Sequence, residues 1–202
     1  DIENITGSSH NDTLYGDSGD NVLDGGAGND VLMGGVGSDT LIGGSGNDTA
    51  SYANAATGVA ANLADAGANT NEASGDSYSS IENLTGSSHA DTLTGDGGDN
   101  ILSGGAGDDT LDGGAGADTL QGGSGTDTAS YADASTGVHL DLGATGVGTT
   151  GDAAGDTLSG IEHVIGSDHD DSFTLTLGQG WSVDGGQGSD TVTLAANSGA
   201  VT

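Results

Sequence analysis

Twelve residues recur at one place in a nine-residue unit: Asp12, Asn21, Asp30, Asp39 and Asp48, then Asp91, Asn100, Asp109, Asp118 and Asp127, then Asp171 and Asp190. The pattern is cleanest over Gly25–Ile42, where GGAGNDVLM is followed by GGVGSDTLI. Each unit reads Gly-Gly-x-Gly-x-Asp-x-apolar-x. Glycines let the backbone bend tightly and bring carbonyl oxygens towards one point. One carboxylate per turn among such carbonyls, with no basic residue nearby, is an oxygen cage for a hard cation. A roomy, oxygen-only site favours Ca²⁺ over Mg²⁺, which demands tight octahedral geometry and keeps its waters. Zinc would prefer His or Cys, which the regular units lack.

The period of nine divides each unit into two parts. Gly25–Asp30 are turn-formers, and Val31–Met33 can make only a very short strand with Leu32 pointing inward. Such a half-coil buries nothing alone and must stack on copies of itself. The expected fold is therefore all-β, a solenoid of stacked turns.

A longer period is nested over the short one. Ile2-Glu3-Asn4-Ile5-Thr6-Gly7-Ser8-Ser9-His10 returns 79 residues on as Ile81–His89, and more loosely as Ile161–His169. The segmentation expected is a first array over 1–51, a connector over 52–85, a second array over 86–130, a second connector over 131–165, and an eroded third array or end-coil over 166–202. Each full array has five units. The first carries His10 or His89 in place of the fourth glycine, the second carries Asn21 or Asn100, and the fifth has Ala50 or Ala129 at the inward position, as an array tapering at its end would. In the second connector Val138, Leu140 and Leu142 alternate with polar residues, which predicts a half-buried strand; Val59, Ala61 and Leu63 follow the same pattern. The connectors read as irregular coils of the same solenoid. Trp181 stands on a strand-like stretch of the third array, and the tail Leu194–Thr202 carries no signal.

Composition narrows the function. The 202 residues include no Lys or Arg and 31 Asp and Glu, a formal charge of −31, with only 32% hydrophobic and 3% aromatic residues. Without internal counter-charge the chain alone repels itself and stays expanded. Composition leaves either a disordered polyanion or a fold whose missing positive charge arrives as metal, and the ordered repeat decides for metal. Nucleic acid is excluded as a partner because phosphate binding needs Lys or Arg, and no apolar run approaches the roughly 20 residues needed for membrane insertion as a helix. There are no cysteines, hence no disulfides or thiolate sites. No signal peptide or initiator Met is present, so the sequence reads as a mature product or an excised segment.

These units resemble the calcium-binding nonapeptide of the RTX (repeat-in-toxin) family. The resemblance implies a parallel β-roll, or β-helix solenoid, with two nonapeptides per coil and calcium ions between stacked Gly-rich turns. Each ion would be held between unit i and unit i+2 by both aspartates and by main-chain carbonyls. It pairs Asp12 with Asp30, Asn21 with Asp39 and Asp30 with Asp48, and likewise Asp91 with Asp109, Asn100 with Asp118 and Asp109 with Asp127, about six ions in all. Asp171 and Asp190 extend the set. The glycines that shape these sites are Gly25, Gly26, Gly28, Gly34, Gly35, Gly37, Gly43, Gly44 and Gly46 in the first array. In the second they are Gly104, Gly105, Gly107, Gly113, Gly114, Gly116, Gly122, Gly123 and Gly125. The family also implies export in an unfolded state through a type I channel and folding outside the cell, although no C-terminal export signal is evident.

No catalytic residues are expected, since no nucleophile motif or cofactor loop is present. His10, His89 and His169 read as residues at a left-handed turn position that caps each array. Glu3, Glu82 and Glu162 read as structural or supplementary calcium residues, Asp17 and Asp96 as supplementary ligands or solvated turn residues, and Tyr52 and Tyr131 as packing residues. The function expected is a calcium-dependent structural or interaction module of a secreted or cell-surface bacterial protein, of adhesin, surface-layer, matrix or filament type. The alternative is the C-terminal module of a secreted protease, lipase or polysaccharide epimerase. Candidate partners are further copies, forming a homo-oligomer or filament by end-to-end or lateral stacking, and a cell-surface or matrix polysaccharide.

Overall fold

Three apolar-centred residues per nine suffice for a strand only if each strand finds neighbours above and below it, and this requirement sets the architecture. A computed structural model describes residues 3–143, 146–176, 178 and 180–195. The first array forms β1 (Asn4–Ser8), β2 (Thr13–Tyr15), β3 (Val22–Ala27), β4 (Val31–Met33), β5 (Thr40–Ser45) and β6 (Thr49–Ser51). The first connector holds β7 (Ala60–Asn62), β8 (Ser77–Ser79) and β9 (Asn83–Thr85). The second array forms β10 (Thr92–Thr94), β11 (Ile101–Ala106), β12 (Thr110–Asp112), β13 (Thr119–Ser124) and β14 (Thr128–Ser130). Then follow β15 (His139–Leu142), β16 (Gly146–Thr150), β17 (Thr157–Ser159), β18 (His163–Ile165), β19 (Ser172–Thr176), β20 (Ser182–Asp184) and β21 (Thr191–Ala195).

Within the arrays successive strands alternate between two faces, so each pairs in parallel with the strand one full coil away. One sheet runs β1-β3-β5-β8, a second runs β20-β18-β14-β12-β10-β7, and an eleven-stranded sheet runs β2-β4-β6-β9-β11-β13-β17-β16-β15-β19-β21. Register is kept unit by unit: Leu14↔Leu32, Leu23↔Leu41, Leu93↔Leu111 and Leu102↔Leu120. The fold is a parallel β-roll solenoid. Its core is a set of leucine columns in which Leu23, Leu32, Leu84, Leu93, Leu102, Leu111 and Leu120 are fully buried. Removing one leaves a gap that the coils on either side cannot close. Leu102→Ala is expected to cost about 2–5 kcal/mol, read as a lowered urea midpoint at saturating calcium.

The alanines at the fifth unit close each nonapeptide array but not the solenoid. Ala50 pairs with Leu84 and Ala129 with Val164, so the columns continue through both connectors. The smaller side chain shares its coil with Tyr52 or Tyr131, whose rings are buried. Each connector first throws a strand forward: β7 pairs with β10, and β15 with β19. The chain then returns to lay β8 on β5, or β17 on β13. In the second connector β16 fills the gap between these strands with antiparallel pairing, whereas in the first only the bridge Ala60↔Thr70 does so. The equivalent strands β1 and β9 lie on different sheets, so each super-repeat is turned by half a coil from the previous one.

The alternation over Val138–Leu142 forms the predicted strand, with Val138, Leu140 and Leu142 buried. Its counterpart is shorter: Val59 and Ala61 are buried and Leu63 is half-buried. Trp181 packs on the last coil and donates from Nε1 to the Gly143 carbonyl. Residues 196–202 of the tail lie outside the described residues.

Candidate metal centre

The sixth residues of the units form a ladder along the solenoid. The N–H of each donates to the near carboxylate oxygen one coil on: Asp12 to Asp30 Oδ1 at 2.8 Å, Asn21 to Asp39 at 2.8 Å and Asp30 to Asp48 at 2.7 Å. The second array repeats this from Asp91 to Asp109, Asn100 to Asp118 and Asp109 to Asp127, and the third from Asp171 to the exposed Asp190.

The ladder divides by what happens at the other side-chain oxygen. In the first two units of an array it is capped from within its own turn. Ser8 N–H donates to Asp12 Oδ2 at 2.6 Å, Ser87 N–H to Asp91 Oδ2 at 2.5 Å and Ser167 N–H to Asp171 Oδ2 at 2.7 Å. Asp17 and Asp96 cap Asn21 Oδ1 and Asn100 Oδ1 in the same way, through their N–H groups, and the Asn100 amide donates to the Glu82 carbonyl at 2.7 Å. In the third, fourth and fifth units no cap forms. Oδ2 of Asp30, Asp39, Asp48, Asp109, Asp118 and Asp127 is buried without any hydrogen-bond donor.

The two kinds of turn differ at the second position. Gly26, Gly35, Gly44, Gly105, Gly114 and Gly123 have φ between 81° and 112°, whereas the serines and aspartates of the capped turns have no such backbone. A Cβ on Gly44 would be strained at φ 105° and would collide with the Gly26 carbonyl. Gly44→Ala is therefore expected to cost at least about 1–2 kcal/mol and to raise the calcium concentration at the folding midpoint in a circular dichroism titration.

Main-chain oxygens gather at the same point. Beside Gly25 the space a Cβ would fill is bounded by Asp30 Oδ2 and by the Gly43 carbonyl of the next coil. The carbonyls of Gly26 and Gly28 face Gly44 and Gly46 across the same gap. The first-position glycines Gly34, Gly43, Gly104, Gly113 and Gly122 likewise sit against the Oδ2 of their own aspartates, and the fourth-position Gly28, Gly37, Gly46, Gly107, Gly116 and Gly125 are left-handed. Among the described residues no three His, Cys, Asp or Glu side chains converge on one point. A cation here would take most of its donors from the backbone, in an all-oxygen set suited to Ca²⁺.

Electrostatics agree. Burial raises the carboxyls of Asp39, Asp48 and Asp127, that of Asp109 to about 6 and that of Asp118 to about 7, each opposed by a main-chain N–H and aided by neighbouring carboxylates. In the unfolded chain these groups titrate near 3.9. The metal-free fold thus binds more protons than the unfolded chain, and its stability falls as pH rises from about 4 through about 7. Ellipticity in EGTA is expected to show more β-structure at about pH 5 than at about pH 8, while the calcium midpoint moves to higher concentration on acidification.

Four further carboxylates join the ladder from the connectors. Asp39 N–H donates to Asp76 Oδ1 and Asp118 N–H to Asp156 Oδ1, both at 2.8 Å. Asp48 N–H donates to Glu82 Oε2 at 2.7 Å and Asp127 N–H to Glu162 Oε2 at 3.0 Å. Sequence reasoning singled out the glutamates but passed over Asp76 and Asp156. The signal was present: Asp76-Ser77-Tyr78 and Asp156-Thr157-Leu158 repeat the Asp39-Thr40-Leu41 pattern without the preceding Gly-Gly pair. Tyr52 and Tyr131 are more than packing residues, because their hydroxyls donate to Asp76 Oδ2 at 2.7 Å and Asp156 Oδ2 at 2.9 Å. Glu3 is exposed, and its carbonyl accepts from Val22 N–H. The histidines are not left-handed, since the only positive-φ residues other than glycine among those described are Asn71 and Ser80. His10, His89 and His169 are exposed, each with its N–H on the hydroxyl of the serine two residues before, which closes the capped turn without a fourth glycine.

The model of one protein family, described as RTX calcium-binding nonapeptide repeat (4 copies), matches residues 6–41, 33–51, 85–120 and 94–129. No curated protein matches the chain. The matched stretches contain the six aspartates whose buried Oδ2, among the described residues, lacks a donor, and repeats of this kind bind calcium. The chain carries RTX calcium-binding nonapeptide repeats, in two arrays over residues 6–51 and 85–129.

Proposed function

We propose that this chain is a calcium-dependent structural module of a secreted or cell-surface protein, one that folds into a stiff rod on meeting extracellular calcium. The carrying observation is the set of six buried carboxylate oxygens without a donor. Burying an unpaired charge costs several kcal/mol, so a chain with no Lys or Arg needs bound cations to make these positions tolerable. Asp30, Asp39, Asp48, Asp109, Asp118 and Asp127 are assigned as calcium ligands with the carbonyls of their glycine turns. The capped Asp12, Asn21, Asp91, Asn100 and Asp171 are assigned to shaping the turn. Calcium supplies the positive charge that the sequence lacks.

The 79-residue super-repeat favours a rod segment over the appendage of an enzyme, because each super-repeat extends the eleven-stranded sheet and adds length. An eleven-stranded sheet at about 4.8 Å per strand gives a rod roughly 50 Å long. Small-angle X-ray scattering is expected to show a radius of gyration falling from about 48 Å in EGTA to roughly 20 Å in calcium. An unchanged profile would sink the proposal. Growth of large particles at high protein concentration in the same calcium buffer would extend it to filament formation by stacking of end coils; a monomer at all concentrations would remove that extension.

A further inference from the structure

We infer that the connectors are calcium-binding elements: Asp76 and Glu82, and Asp156 and Glu162, complete four of the six ion sites, which the nonapeptides alone leave half-built. The inference rests on the calcium reading above and deepens it. Its starting point is the direction of each site. The unpartnered Oδ2 of a unit lies beside that unit's first glycine, and at Gly25 the first-position carbonyl of the following coil, that of Gly43, bounds the same space, so the site is closed by the coil that comes next. For Asp30 and Asp109 the next coil is another nonapeptide, which presents Asp48 or Asp127. For the last two units of each array no nonapeptide follows.

The connector stands in its place. Asp76 and Asp156 receive the N–H of Asp39 and Asp118 as a ladder aspartate would, and both are buried, at 1% and 0% exposure. Glu82 and Glu162 receive the N–H of Asp48 and Asp127. The Ser80 carbonyl abuts Gly43 and the Gly160 carbonyl abuts Gly122, the place the Gly43 carbonyl takes against Gly25. Both residues are left-handed, with φ 51° at Ser80 and 60° at Gly160. What points to a ligand at these four levels is the orphaned Oδ2 of Asp39, Asp48, Asp118 and Asp127, aspartates no more than 1% exposed. The Tyr52 and Tyr131 hydroxyls fix one oxygen of Asp76 and Asp156, leaving the carboxylates their remaining lone pairs for an ion. The calcium-binding unit is therefore an array together with the connector that follows it.

The test is the number of calcium ions bound per chain, by equilibrium dialysis on the intact protein and two double variants. Wild type is expected to bind six. Asp76→Asn with Asp156→Asn, which keeps an acceptor for the ladder N–H, is expected to lose two, and Glu82→Gln with Glu162→Gln another two, with β-structure retained at high calcium. A folded wild type that binds only two ions, or variants that still bind six with unchanged affinity, would overturn the inference while leaving the array reading intact. A wild type that binds none would overturn both. If the variants fail to fold, terbium binding to the unaltered chain decides, because Tyr52 and Tyr131 touch the assigned ligands. Tyrosine-sensitised emission rising with terbium occupancy is expected, and its absence would overturn the inference.

Discussion

Chelation of calcium is expected to unfold the whole chain in a single transition, far-UV circular dichroism passing from β-structure to coil. At a calcium concentration ten times the dissociation constant, each site adds about 1.4 kcal/mol, and six sites together about 8 kcal/mol. That equals the net stability of an ordinary domain of similar size. The other terms are weak here. The core is a single file of leucines per face, and the chain carries a charge of −31 with no cation of its own. Magnesium at the same concentration is expected to leave the chain unfolded, because the carbonyl-rich turns suit a larger ion that sheds its water readily. The transition is expected to be cooperative because adjacent levels share ladder carboxylates: Asp48 receives the N–H of Asp30 and offers its other oxygen to the next site.

The second large effect concerns replacement of all six buried aspartates by asparagine. The chain itself shows how asparagine behaves at this position. Asn100 accepts from Asp96 N–H and donates its amide to the Glu82 carbonyl, meeting the turn's needs without a cation. Six Asp→Asn changes remove six buried charges and supply donors to the facing carbonyls. The variant is expected to lose the calcium-induced transition up to about 10 mM, on the order of 100 times a dissociation constant typical of extracellular calcium modules. Its β-signal in EGTA is expected to exceed that of wild type. A transition as large as that of wild type would mean that the carboxylates are not the ligands.

Much of the site was legible because the chemistry repeats. Spacing alone placed the carboxylates in one column and the leucines in another, since a short strand fixes which residue faces in. What could not be read was the state of the second carboxylate oxygen. It differs between turns whose second residue has a positive φ and turns whose second residue does not, and Asp12 and Asp30 look alike until the backbones at Ser8 and Gly26 are compared. For this reason pairing each aspartate with its neighbour identified the ladder but not the levels left without a donor. Asp76 and Asp156 were hidden for another reason. Their turns are built by long connectors without paired glycines, and only the three-dimensional return of β8 and β17 to the sheets brings them onto the ladder. The alanines at 50 and 129 fall where the repeats stop, and what their letters do not show is the buried tyrosine that occupies the same coil.

The most direct test of the central claim is anomalous diffraction from crystals grown in calcium. The account predicts a calcium peak beside Oδ2 of each of Asp30, Asp39, Asp48, Asp109, Asp118 and Asp127, and none beside the capped Asp12, Asp91 or Asp171. Calcium at the capped turns, with water or nothing at the six buried oxygens, would contradict it.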